Sequence, residues 1–192
     1  MNTLASYAEE LQGSIAQLPK ESIEAAIDEL YDAYRRHSKV FIFGNGGSAA
    51  TAAHFACDLA KGTISPGKQR VKVICLADNV SLLTAWANDT NYGNVFAEQL
   101  DGLVDKQDAV IAISGSGNSP NVLLGVDAAK RAGATVIALS GFDGGKLAEK
   151  ADINIIIPCQ CIEQAEDLHL VVEHIICITL RERLRNSEVE TS

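Results

Sequence analysis

Three histidines and several carboxylates stand where they could hold a metal ion or move protons. His54 and Asp58 are four residues apart in "SAATAAHFACDLA", a spacing that puts both side chains on one face of a helix. On an exposed helix such a pair is an ordinary surface contact. Here the flanking residues are nearly all small or apolar, so the helix is expected to be buried and its His and Asp need partners. The segment "QAEDLHLVVEH" adds Glu166, His169, Glu173 and His174. His169 and Glu173 share the four-residue spacing, while Glu166 and His174 lie eight apart, about 12 Å along a helix axis. Two long side chains leaning toward each other could just span that gap. Spacing does not choose between these pairs. Either would suit a metal site or a proton-transfer couple.

Two further segments carry anion-binding chemistry. Gly44-Asn45-Gly46-Gly47-Ser48 follows an apolar run and opens a helix, and "ISGSGNSPN" presents Ser114, Ser116, Gly117, Asn118 and Ser119 ahead of Pro120. Free N–H groups at a helix start, joined by serine hydroxyls, bind anions without any basic residue. The plainer reading of the first segment is a tight strand-to-helix turn with a Ser cap. A second loop of the same kind weakens that reading. Neither segment has the G-x-G-x-x-G or G-x-x-x-x-G-K-[ST] pattern of a nucleotide loop, so the expected ligand is a small phosphorylated molecule. Cys159 and Cys161 form a C-x-C, which reads as small buried or loop thiols.

These residues must be positioned by a regular scaffold. "LASYAEELQGSIAQL" and "SIEAAIDELYDAYRRH" have apolar residues at three- and four-residue spacing and predict two leading helices. Then "KVFIFG", "VKVICLA", "AVIAIS", "TVIALS" and "INIIIP" are short, almost wholly apolar runs, the mark of parallel strands covered on both faces. Helical stretches fall between them at 48–61, 79–88, 92–101, 120–132 and 145–150, and "AEDLHLVVEHIICITLRERLR" predicts a long final helix. The alternation gives an α/β fold: a three-layer, doubly wound sandwich on a five-stranded parallel sheet. One domain is expected overall, with residues 1–38 as helices packed on a body of 39–186 and a disordered tail at 187–192. Ligands of such sheets sit at the carboxyl ends of strands, near the switch in strand order.

Composition narrows the class. The 192 residues are 47% hydrophobic and 21% charged, with a net charge of −9. That balance disfavours a nucleic-acid face, and no run approaches the roughly 20 apolar residues of a membrane span. The start "MNTLASYAEELQGS" lacks the basic and apolar regions of a signal peptide. Five cysteines without framework spacing fit a reducing compartment, so a cytoplasmic location is expected.

Together "GNGGSAATAAHFACDL", "AND" at 87–89, "ISGSGNSPNV", "GFDGGKLA" and "QAEDLHLVVEH" resemble the sugar isomerase (SIS) domain family. Within that family they look most like the phosphoheptose isomerases, which interconvert sedoheptulose 7-phosphate and D-glycero-D-manno-heptose 7-phosphate. The resemblance covers nearly the whole chain and implies a homotetramer with active sites between subunits. It also implies one zinc per subunit on His54, Asp58, Glu166 and His174, and acid–base roles for Asp58 and His174. Phosphate and sugar contacts fall on Ser48, Ser114, Ser116 and Ser119, with Asn45 and Asp89 on sugar hydroxyls and Gly46, Gly47, Gly115, Asn118 and Glu166 completing the substrate site. This sequence departs from the pattern in four places. Asp58 stands for Glu, Glu166 for Gln, and Gly115 for Thr. Ala60-Lys61-Gly62 stands for Thr-Gly-Arg, which leaves Lys61 as a shifted substitute for a substrate arginine. Relatives that only bind a replication initiator or sense sugar phosphates tend to lose the metal-position residues. All four ligand-capable groups are present here, which favours an enzyme.

Overall fold

A computed structural model describes residues 3–187. The expected tail falls, from residue 188 on, outside the described residues. Five parallel strands form one sheet: β1 (Lys39–Gly44), β2 (Lys72–Cys75), β3 (Ala109–Ser114), β4 (Thr135–Ser140) and β5 (Ile153–Ile156), in the order β2-β1-β3-β4-β5. The order reverses between β1 and β3, whose carboxyl ends meet at the Gly44–Ile113 register pair. Both loops with anion-binding chemistry start there.

Alternation along each strand feeds two cores. Val40, Ile42, Ile111, Ile113, Ile137 and Leu139 point to one face. There they meet α2 (Lys20–Arg35), α3 (Gly47–Cys57) and α8 (Ile162–Asn186). Phe41, Phe43, Val110, Ala112, Val136 and Ala138 point to the other. That face is covered by α4 (Val80–Asp89), α5 (Ala97–Asp101), α6 (Pro120–Ala132) and α7 (Gly145–Lys150). Gly125 of α6 lies where a Cβ would come within 2.9 Å of the Phe43 ring, so the close helix–sheet approach needs glycine.

The two leading helices behave differently. The α2 stripe of Ile23, Ala26, Ile27, Leu30 and Ala33 is buried in the sheet core, whereas α1 (Thr3–Ala16) buries only Ser14. Polar contacts tether α1 to the start of α8: the Tyr7 hydroxyl donates to Asp167 at 2.6 Å and the Gln164 amide donates to Glu10 at 2.9 Å.

Two helical segments and one strand depart from the sequence expectation. The stretch predicted as one helix over 48–61 is α3 followed by a π-helical turn over Asp58–Gly62. Asp58 therefore sits where the helix widens, a distortion frequent at functional sites. The stretch at 92–101 breaks into a 3₁₀ turn and the short α5, because the Asn91 side chain accepts from the Gly93 N–H at 2.8 Å and closes the turn locally. β2 is shorter than expected and is an edge strand, only partly buried. Among the described residues no helix is long and apolar enough to cross a membrane, and all five cysteines are free thiols.

Candidate active site

α3 and α8 pack side by side and run in the same direction, as two pairs of positions show. Glu166 near the start of α8 lies against Gly47 at the start of α3, and His174 lies against His54 about two turns further on. This matching decides which carboxylate reaches which imidazole. His54 Nε2 and His174 Nε2 approach to 3.3 Å, with the rings edge to face at 76°. Asp58 Oδ2 is 3.8 Å from His54 Nε2 and 3.9 Å from His174 Nε2. Glu173 Oε1 completes the group at 3.9 Å from His54 Nε2. One ligand atom from each of His54, Asp58, Glu173 and His174 lies within 4.8 Å of all the others.

Exposure divides the four. The two imidazoles are about half exposed (48% and 49%) and Asp58 is 34% exposed, so they open to solvent along one face. Glu173 is at 0%. Burial, and after it the neighbouring Asp58 carboxylate, pushes the Glu173 carboxyl up to about 8. Neither of its oxygens has a hydrogen-bond partner. A buried carboxyl beside two converging imidazole nitrogens supplies, once a cation displaces its proton, the donor set of a divalent-cation site.

The structure brings His54, Asp58 and His174 together as read from the sequence, but it does not bring Glu166 into that group. The reason is the register of the two helices. Glu166 precedes His174 by eight residues, and its carboxylate is spent at the amino end of α3, against Gly47, where an added Cβ would collide with it. Glu173, adjacent to His174 but turned about 100° around the helix, reaches the group from beneath. His169 is in neither place. It is fully buried beside the Ser140 backbone, both ring nitrogens lack partners, and burial pulls it down to about 4.

The two loops lie at the carboxyl edge of the sheet. Gly46 takes a positive φ of 53° ahead of α3, and Ser48 is buried in its first turn. In the second loop Gly117 (φ 64°) turns the chain, its N–H donating to the Ser114 carbonyl at 2.9 Å. Ser119 precedes Pro120 at the start of α6, yet its hydroxyl does not cap the helix. It receives a hydrogen bond from the Ser114 hydroxyl at 3.2 Å. The Ser116 hydroxyl accepts from the Asn118 N–H at 3.3 Å, and Asn118 fastens the loop to Lys146 N at 3.2 Å. At Gly115 an added Cβ would meet the Ile162 Cδ1 methyl, so a side chain there requires the exposed Ile162 to turn aside.

Asn45 braces the two loops. Its amide donates to Asn121 Oδ1 at 2.7 Å and its carbonyl accepts from Asn121 Nδ2 at 2.8 Å and from the Tyr92 hydroxyl at 3.0 Å. Asn121 and Tyr92 were not singled out in the sequence; the N-x-P-N spacing at the start of α6 carries no signal that Asn121 would face another loop. Asp89 ends α4, exposed, with Oδ1 accepting from the Asn88 amide at 2.9 Å. Lys61 lies exposed in the π-helical turn. Cys159 and Cys161 stay apart from the metal-capable group: the first donates to the Cys161 carbonyl and the second to Glu163.

Comparison with known proteins agrees with this fold. The sequence pattern of the SIS domain matches residues 5–141. The chain is 37% identical over 172 residues to a phosphoheptose isomerase of Helicobacter pylori (strain P12), covering 90% of this chain and 88% of that protein. It is 38% identical over 173 residues to the lincomycin biosynthesis protein LmbN of Streptomyces lincolnensis, of whose length it spans 63%. The solved structure of the phosphoheptose isomerase GmhA from Neisseria gonorrhoeae superposes with a TM-score of 0.86 at 30% identity, covering 94% of this chain and 97% of that one.

Proposed function

The chain belongs to the SIS domain family, and from that premise we propose that it is an aldose–ketose isomerase interconverting sedoheptulose 7-phosphate and D-glycero-D-manno-heptose 7-phosphate. The observation that carries the reading is the convergence of Asp58 with His54 and His174, 3.8 and 3.9 Å from its carboxylate. The phosphoheptose isomerase relatives supply the substrate class.

Isomerisation moves a hydrogen between C1 and C2 through an ene-diolate. It needs a base for the carbon-bound proton, an acid for the oxygen, and stabilisation of the oxyanion. In this reading Asp58 takes the proton and returns it to the adjacent carbon, and His174 protonates and deprotonates the oxygens. The phosphate rests on the hydroxyls of Ser48, Ser114, Ser116 and Ser119 and on the N–H groups that open α3, with Asn118 holding the second loop in shape. Asn45, Gly46, Gly47, Asp89, Gly115 and Glu166 line the sugar. His54, Asp58 and His174 would hold a divalent cation, zinc by the chemistry of imidazole and carboxylate donors. When bound, it supplies positive charge at the developing oxyanion. An atom that holds an ion cannot take a proton at the same moment, so Asp58 and His174 would move protons through the carboxylate oxygen and the ring nitrogen that the cation leaves free.

We place the reaction in the cytoplasm and in a homotetramer. A second substrate, another ketose phosphate, is favoured by one observation: Lys61 rather than an arginine follows the metal-capable helix. The deciding experiment follows the C1 and C2 hydrogens of sedoheptulose 7-phosphate in deuterated solvent by NMR, with metal-analysed protein. Exchange by wild type that falls about 10²–10⁴-fold in Asp58→Asn, with kcat hit harder than KM, is the expected result. Wild-type protein that binds the sugar but never exchanges either hydrogen would turn the reading toward a binding module.

A further inference from the structure

We propose that Glu173 is a metal ligand of this chain, holding the cation with His54 and His174, so that Asp58 keeps an oxygen available for proton transfer. The inference rests on the metal-assisted isomerase reading and deepens it, since the sequence resemblance gives Glu173 no role.

Three observations carry it. Glu173 is wholly excluded from solvent, and neither carboxylate oxygen accepts a hydrogen bond. Native proteins rarely leave such a group bare, because the lost hydration is repaid only by a partner. Among the described residues the ion-pair neighbour of Glu173 is the His54 imidazole, 3.9 Å away. Second, the two imidazole nitrogens that face this carboxylate stand 3.3 Å apart, a close approach that a shared cation between them and Glu173 would explain. Third, Glu166, the alternative carboxylate on α8, lies against Gly47 at the other end of α3.

The chemistry follows from the burial. A ligand sealed beneath the site cannot reach substrate, whereas Asp58, 34% exposed, can. Two carboxylates at one centre therefore divide the labour: the buried one fixes the cation and the open one moves the proton. Two imidazoles and one carboxylate also leave a coordination position open, as catalytic zinc sites do.

The test titrates zinc ions against a chromophoric chelator with wild type, Glu173→Gln and Glu166→Gln. The glutamines keep side-chain size, and circular dichroism checks folding. Glu173→Gln is expected to weaken zinc binding by about tenfold or more, and Glu166→Gln by less than about threefold. Wild-type zinc affinity in Glu173→Gln overturns the assignment, as does selective zinc loss in Glu166→Gln or a wild type that takes up no zinc. Should Glu173→Gln fail to fold, a crystal structure of zinc-loaded wild type decides: a Glu173 oxygen at about 2.0–2.2 Å from the ion supports the assignment, and any other position of that carboxylate overturns it. Zinc held through Glu173 supports the inference whether or not sedoheptulose 7-phosphate turns over, so a failed turnover assay counts against the isomerase reading alone.

Discussion

At the scale of single residues, burial separates groups that share a chemical type. Glu166 and Glu173 are seven positions apart on one helix, yet one carboxylate rests on a glycine at the loop and the other is sealed among two imidazoles and an aspartate. His169 and His174 differ in the same way. His174 opens to solvent, while His169 is held neutral by burial, its ionisation pulled from 6.5 to about 4. The sign of the resulting pH dependence is definite. The unfolded chain takes a proton on His169 at about 6.5 and the folded chain resists until about 4, so the unfolded state binds more protons in between. Stability from this group is present above 6.5 and is lost as pH falls toward 4, by on the order of 3 kcal/mol. Urea unfolding at pH 7 and pH 4.5 should show that decline in wild type and a flatter profile in His169→Gln. Equal pH slopes in the two proteins would mean that His169 is solvated in the native state.

At the scale of elements, each functional loop is shaped by the helix that follows it. The β3–α6 loop turns at Gly117, whose added Cβ would strike the Gly144 carbonyl, and it is pinned through Asn118 to the N-terminus of α7. Its Ser119 hydroxyl is left off the helix cap and joined to Ser114, so three serine hydroxyls, rather than the first turn of α6, whose Val122 N–H donates to Asn121 Oδ1 at 3.0 Å, remain for an anion. Ser119→Ala should weaken phosphorylated-ketose binding by about 1–3 kcal/mol, the usual cost of a lost charge-assisted hydrogen bond. Calorimetric titration reads it directly. Unchanged affinity in a Ser116→Ala, Ser119→Ala double variant would assign the phosphate elsewhere. The brace of Asn45, Asn121 and Tyr92 makes the two loops one rigid rim, which a helix-by-helix reading does not reveal.

At the scale of the whole molecule, the contrast between α1 and α2 bears on assembly. The α2 stripe is consumed by the chain's own core, so it offers nothing to a partner. α1 leaves Leu4 at 81% exposure and Ile15 at 44%, and α8 leaves Ile175 and Ile178 open beside the metal-capable face. Those apolar residues are the surface on which the proposed tetramer would close. Light scattering at micromolar concentration should give about four times the 20.4 kDa chain mass. A stable, folded monomer would count against sites shared between subunits.

Much of this was legible in the sequence because it is local. Apolar runs bounded by glycine and polar punctuation marked all five strands, since a strand covered on both faces must be apolar along its length. The glycine and serine loops were readable because backbone turns and helix starts depend on a few neighbouring residues. His54 and Asp58 were readable because helical spacing alone sets them on one face. The rest depended on how distant segments meet. Four candidates on the last helix had workable spacing, and only the parallel packing of α3 against α8 set Glu166 at Gly47, Glu173 beneath the imidazoles and His169 in the core. The pairing of Asn45 with Asn121 and the contact of Ile162 with Gly115 have the same origin. Each is a contact across tens of residues, governed by register and burial between elements, quantities that a one-dimensional pattern does not contain.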